Sequence, residues 1–170
     1  MVIKELNIRF LHNLEITERD IKEIIKIKQS YWKYAFEEHK RWMRENLNDE
    51  DYHLLVMNGN DLIGYLNIVQ LDILIDGEKT SAYGIGNVCI YDQYSKQGVG
   101  TLMLHVLNFY LNKQTYPSML LCKEQLVKFY SASGWMIYQG NVRLEGHDFT
   151  DVLMTNKKIE SCNIELLKGF

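Results

Sequence analysis

Proline occurs once in the 170 residues, at Pro117, and cysteine three times, at Cys89, Cys122 and Cys162. An odd number of widely spaced cysteines, with no Cys-x-x-Cys pair and no Cys/His cluster, excludes a disulfide framework and a zinc site. No metal is expected. No apolar run approaches the ~18 residues that a membrane helix needs. Lys4, Glu5 and Arg9 interrupt the apolar stretch at the N-terminus, which has neither a signal-peptide core nor a small-residue cleavage site. The expectation is a soluble, cytoplasmic protein with free thiols and no membrane partner. Basic residues are also scarce: 19 Lys plus Arg against 22 Asp plus Glu leave a net charge of −3. That cannot neutralise a phosphate backbone across a wide face, so no nucleic-acid partner is expected.

Core-forming residues are abundant, at 46% hydrophobic and 12% aromatic, with 24% charged. Such a composition orders rather than unfolds. With no repeat, linker or low-complexity segment, residues 1–170 read as a single α/β domain.

Val2 to Phe10 reads as a strand. Thr17, followed by Asp20, marks a helix N-cap, after which Ile21, Ile24, Ile25 and Lys28 share one face. A second helix is expected over Phe36 to Leu47. Strands follow at His53 to Met57 and Leu62 to Ile68, the latter weakly extended to Ile75, around an Asn58-Gly59-Asn60-Asp61 turn. A second turn at Asp76 to Lys79 leads to a strand over Ser81 to Tyr91. The cleanest periodicity comes next: Val99, Leu102, Met103, Val106, Leu107, Tyr110 and Leu111 line one side of a helix. Ser118 to Cys122 reads as a buried strand and Glu124 to Ser133 as a helix stopped by Gly134. Strands at Trp135 to Gln139 and Asp151 to Thr155 flank a polar loop from Gly140 to Thr150. Lys157 to Phe170 alternates polar and apolar residues, and is expected to pack on the core or on a second subunit of a homodimer.

The informative stretch runs from Asn87 to Thr101: a strand, a polar loop with Gly98 and Gly100, then the amphipathic helix. Glycines at a helix entry let backbone N–H groups approach an anion, and the helix dipole and Lys96 add positive charge. A phosphate or pyrophosphate fits there. Alternatively, Gly98 and Gly100 serve only to pack the helix closely on a strand. The stretch is neither a P-loop, lacking Gly-Lys-Ser/Thr, nor a dinucleotide fingerprint, since Met103 stands where the third glycine belongs.

Gln97-Gly98-Val99-Gly100-Thr101, the long helix, the short strand and then Tyr130-Ser131-Ala132-Ser133-Gly134-Trp135 together resemble the GNAT acetyltransferase superfamily. The resemblance implies a mixed, mainly antiparallel sheet flanked by helices, with splayed central strands. It implies acetyl-CoA as cofactor, with CoA as product. Lys96, Gln97, Gly98, Val99, Gly100 and Thr101 correspond to its pyrophosphate cradle, and Val88, Cys89 and Ile90 to the strand edge that pairs with the pantetheine arm. Tyr130 corresponds to the tyrosine that protonates the departing thiolate. On its own, Tyr130 also reads as a core aromatic.

Some positions depart from the family. Ser95 replaces the Arg or Gln that opens the loop, and Lys123 an Asn that contacts the cofactor. Gly84 and Gly86 stand where a general-base Glu is often found. The base is left open among His53, Asp72, another carboxylate or water. The resemblance places the acceptor near Tyr31, Trp32, Tyr34, Glu37 and Glu38, and near Glu145, His147 and Asp148. Aromatics with carboxylates suit a small-molecule amine such as an amino sugar. The expected activity is N-acetyl transfer to such an amine by direct attack. The alternative is a non-catalytic acyl-CoA-binding or regulatory domain.

Overall fold

The computed structural model describes residues 3–146 and 150–170. Helix α1 (Glu18–Tyr31) begins in a reciprocal cap: Thr17 Oγ1 accepts the Asp20 N–H at 3.2 Å, and the Asp20 carboxylate accepts the Thr17 N–H at 3.0 Å. The same carboxylate holds both terminal nitrogens of Arg9, which ties the helix to strand β1 (Leu6–His12). Ile24, Ile25 and Ile27 are fully buried. Helix α2 (Phe36–Asn46) has an alanine at its N-cap, which offers no side-chain acceptor, and only the reciprocal half of a capping box forms: the Glu38 side chain takes the Ala35 N–H at 2.7 Å.

Strand β2 (Tyr52–Asn58) lies antiparallel to β1, from Leu6 opposite Asn58 to His12 opposite Tyr52. It turns at Gly59, whose φ is +61°, into β3 (Asp61–Ile75), with a bulge between Val56 and Met57. β3 is one continuous strand of 15 residues. Leu62 to Val69 are all buried, an apolar run interrupted only by Asn67. From Gln70 onward the burial alternates. A two-residue turn at Asp76 and Gly77, both at positive φ, leads to β4 (Glu78–Ile90), its hydrogen-bonded neighbour.

The chain forms two compact units, and β3, β4 and helix α3 (Val99–Leu111) contribute to both. The first holds residues 3–69 and 87–103. There α3 is seated on β3: a Cβ at Gly64 would lie 2.7 Å from Met103 Sδ and 3.2 Å from Val99 Cγ1. Gly64 is thus the residue that permits this contact.

The second unit holds residues 70–86 and the described part of 104–170. β4 runs parallel to β5 (Ser118–Cys122), from Tyr83 opposite Ser118 to Ile85 opposite Leu120. β5 is antiparallel to β8 (Val152–Thr155), which also pairs with the short β6 (Met136–Ile137). β9 (Asn163–Leu166) lies antiparallel to Ile73–Ile75 of β3, and β7 (Asn141–Leu144) parallel to β9. The architecture is the expected α/β class, with a mixed and mainly antiparallel sheet.

Two local expectations are corrected, and one open alternative is decided. The segment 140–150 contains β7, whose half-exposed Asn-Val-Arg-Leu becomes a strand only through its pairing with β9. The C-terminal stretch packs on the core, the first of its two expected placements, through β9, with Ile164 and Leu166 buried. The helix expected over 124–133 is a 3₁₀ turn at Glu124–Leu126 followed by the five-residue α4 (Val127–Ser131).

Arg9 and the Thr17 hydrogen bonds hold the Asp20 carboxyl at about 2, below its usual 3.8. The depressed value means that this stabilisation is complete above about pH 4 and is lost as the pH falls toward 2. Asp20→Asn is expected to lower stability at pH 7 by about 1–2 kcal/mol, since the partner Arg9 is partly exposed. Urea melts at pH 7 and pH 2.5 check this; the deficit should shrink at the lower pH.

Candidate functional site

After β4 the chain makes a 3₁₀ turn over Asp92–Tyr94, anchored by buried Tyr94 and by the Ser95 N–H bonded to Asp92 O at 3.0 Å. Lys96 and Gly98 then adopt left-handed backbone, at φ +60° and +83°. The first helical bond of α3 runs from the Leu102 N–H to Gly98 O, at 2.9 Å. The amides of Val99, Gly100 and Thr101 therefore precede the helical ladder, at the positive end of the helix dipole. A Cβ at Gly98 would meet nothing within 4 Å. That glycine answers a backbone requirement and borders open space, so the close-packing alternative fails for it. Gly100 and Val99 are buried, while Lys96 and Thr101 are exposed. Gln97 turns its amide back onto Gln93 O at 2.7 Å, which braces the loop.

Upstream, β4 kinks at Asn87, where φ is +53° and the side-chain amide donates to buried Asn67 Oδ1 at 2.6 Å. Val88 and Ile90 are half-buried and Cys89 is buried. Burial pushes the Cys89 thiol up to about 12, and its Sγ lies 2.8 Å from Asn87 O. It is a protonated packing group, not a thiolate nucleophile. The first unit thus brings together all of the expected cradle and strand-edge residues, from Val88 to Thr101.

Tyr130 belongs to the second unit. It is buried in α4, whose end has a recognisable cap: the Trp135 N–H bonds Tyr130 O, the Gly134 N–H bonds Ser131 O, and Gly134 has φ +90°. α3 clamps this turn through Asn108, which donates to Ser133 O at 2.7 Å and accepts the Trp135 indole N–H at 3.1 Å. Trp135 is itself buried, so the Tyr-x-x-x-Gly-Trp pattern is a clamp that orients the tyrosine helix.

The remaining candidates separate clearly. His53 is fully buried, with its ring nitrogens on Tyr65 Oη at 2.8 Å and Asn13 Oδ1 at 3.0 Å; burial lowers its pKa to about 4. It acts as a neutral core residue. Asp72 is half-exposed and paired with Lys79 at 2.8 Å. At Gly84 a Cβ would lie 2.5 Å from Leu71 Cδ2 and Phe170 Cγ, so the space for a side chain there is filled. Glu38 is engaged in capping α2, whereas Tyr31, Trp32, Tyr34, Glu37 and Glu145 are exposed. His147 and Asp148 lie outside the described residues.

Two features escaped the sequence reading. Lys28 is buried beneath the Trp42 ring, its Nζ 4.2 Å from the centroid, and burial lowers its pKa to about 8. Its place on the apolar face of α1 was the available signal. The Tyr31 hydroxyl bonds both backbone polar groups of Ile90, and nothing local announces that pairing. Among the described residues no group of three or more His, Cys, Asp or Glu gathers to hold a metal, and no helix is long and apolar enough to cross a membrane.

A family model described as an acetyltransferase (GNAT) domain matches residues 14–138. No curated protein matches the sequence. Among solved structures, the chain is similar to Escherichia coli ElaA, with a TM-score of 0.67 and 17% identity over 90% of this chain and 100% of that one. It is similar to the E. coli GNAT family N-acetyltransferase YhbS in complex with CoA, with a TM-score of 0.67 and 18% identity over 95% of this chain and 89% of that one. It is also similar to the PaiA N-acetyltransferase of Thermoplasma acidophilum in complex with coenzyme A, at 0.59 and 17%, over 91% and 100%. At these identities the likeness is one of fold.

Asn108→Leu would strand the buried Trp135 indole N–H and the Ser133 carbonyl. A loss of about 1–3 kcal/mol is expected, measurable as a lower urea midpoint, with quenched or shifted Trp135 emission as the local sign.

Proposed function

The chain belongs to the GNAT acetyltransferase family, and from that premise we propose that it transfers an acetyl group from acetyl-CoA to a small-molecule amine. In this reading residues 1–170 act as one acetyltransferase domain of a cytoplasmic protein. The observation that carries it is the left-handed, unobstructed Gly98 at the start of α3. A pyrophosphate needs several amide donors that no side chain blocks, and this entry supplies them. CoA in the YhbS and PaiA structures supports the choice of cofactor.

Each residue then has a physical task. The backbone from Lys96 to Thr101 holds the pyrophosphate, helped by the Lys96 ammonium, which makes no ion pair among the described residues. Gln97 keeps the loop in shape through Gln93. Val88, Cys89 and Ile90 offer backbone to the pantetheine arm. The bound thioester supplies an activated acyl carbon with a thiol as leaving group. Tyr130 Oη–H is the general acid, donating the proton that the leaving sulfur takes up, and the proton that the attacking nitrogen sheds as the amide forms restores the phenol. The amine attacks as the free base, having lost its own proton to water, because the Gly84 position has no room for a carboxylate.

That filled position favours a second reading, an acyl-CoA-binding or regulatory domain without turnover. CoA release over a panel of amino sugars, aminoglycosides, polyamines and peptide N-termini, measured beside acetyl-CoA binding, separates the two. Turnover with any acceptor supports the enzyme, and tight binding without turnover supports the alternative.

Tyr130→Phe is expected to lower kcat by about a hundredfold or more while CoA affinity stays within about twofold. Equal loss of both would assign Tyr130 to packing. Gly98→Asp places a carboxylate in the open space of the cradle, in a residue type that tolerates left-handed backbone. Calorimetry should show CoA binding weakened about tenfold or more, with little change in melting temperature.

A further inference from the structure

Ile90 closes β4, and the following amide, that of Tyr91, donates to Ile63 O on β3 at 3.2 Å. Successive strand residues direct their backbone polar groups to opposite edges, so the N–H and C=O of Ile90 face away from β3. One side chain serves both: the Tyr31 hydroxyl accepts the Ile90 N–H at 3.1 Å and donates to Ile90 O at 2.6 Å. A phenol does here what the backbone of an added strand would do. Its anchorage is light. Tyr31 is the last residue of α1 and is 46% exposed, so its ring can swing out without opening the core. Both residues lie in the unit that carries the cradle at Gly98 to Thr101.

We propose that Tyr31 guards the cofactor arm: its hydroxyl holds the outward backbone pair of Ile90 until the two amides of the pantetheine arm, one accepting from the N–H and the other donating to the C=O, take that pair in its place. The inference rests on the acetyl-CoA reading above. The exchange replaces two hydrogen bonds with two, so it is close to neutral for an extended, amide-bearing arm. A ligand that reaches the cradle alone neither displaces Tyr31 nor gains from its removal. Apparent CoA affinity is reduced by the fraction of molecules in which the guard is open.

The test compares wild type with Tyr31→Phe, which keeps the ring and loses the hydroxyl. By calorimetry, CoA should bind the variant about three- to tenfold more tightly, while adenosine 3′,5′-bisphosphate, which lacks the arm, should bind both proteins equally. Amide exchange read at Ile90 should be slow in the free wild type, faster in the free variant, and slow in both with CoA. Unchanged or weaker CoA binding by the variant overturns the guard, as does equal tightening of the bisphosphate. Equal exchange at Ile90 in the two free proteins overturns it without reference to any ligand. If wild type binds no CoA, the acetyl-CoA reading falls and the guard with it, whereas slow exchange at Ile90 would still verify the hydroxyl contact.

Discussion

At Gly64 the first turn of α3 comes so close to β3 that a single methyl group would collide with Met103 and crowd Val99. The position of the amides that precede the helical ladder follows from that seat. Val56, Val99 and Met103 pack around the glycine and are buried, so the helix start is held by core contacts rather than by the loop before it. The loop is then free to be polar and left-handed at Lys96 and Gly98. Rigid apolar packing on one side and an open backbone on the other make a helix terminus usable as an anion site.

The same unit handles charge sparingly. Its buried groups are compensated one at a time: Asp20 by Arg9 and Thr17, Lys28 by the face of Trp42, and His53 by remaining neutral between Tyr65 and Asn13. With a net charge of −3, the chain has no excess of basic residues. Backbone amides and one exposed lysine act locally and do not depend on the overall sign, so this balance is compatible with the proposed anion site.

The second unit uses hydrogen bonds to fix a short element. α4 has only five residues, too few to be stable alone. It persists because Gly134 ends it in a left-handed turn and Asn108 ties that turn to α3. In the same unit, Phe170 and Leu71 cover Gly84. The strand position that is often acidic in the resembling family is therefore part of an apolar contact here.

Local patterning was enough for most of this. The Thr17–Asp20 cap, the apolar stripe of α3, the Asn58–Asp61 turn, the strand at Ser118–Cys122, the glycine pair at 98 and 100, and the stop at Gly134 all rest on interactions within a few residues. Such interactions are written in the sequence as spacing. What depended on distant partners was not legible. β7 and β9 exist through pairing with each other and with β3. The division of labour between glycines, Gly64 for packing and Gly98 for backbone freedom, depends on which atoms the fold brings alongside each. The Tyr31 hydroxyl meets Ile90 across 59 positions of chain. The sequence alone determined the elements whose caps, turns and apolar stripes are local, and it marked the glycine-bearing entry of α3 as a candidate anion site. Only the tertiary structure decided which backbone groups stay open and which are already taken, because a hydrogen bond between distant residues leaves no local period to read.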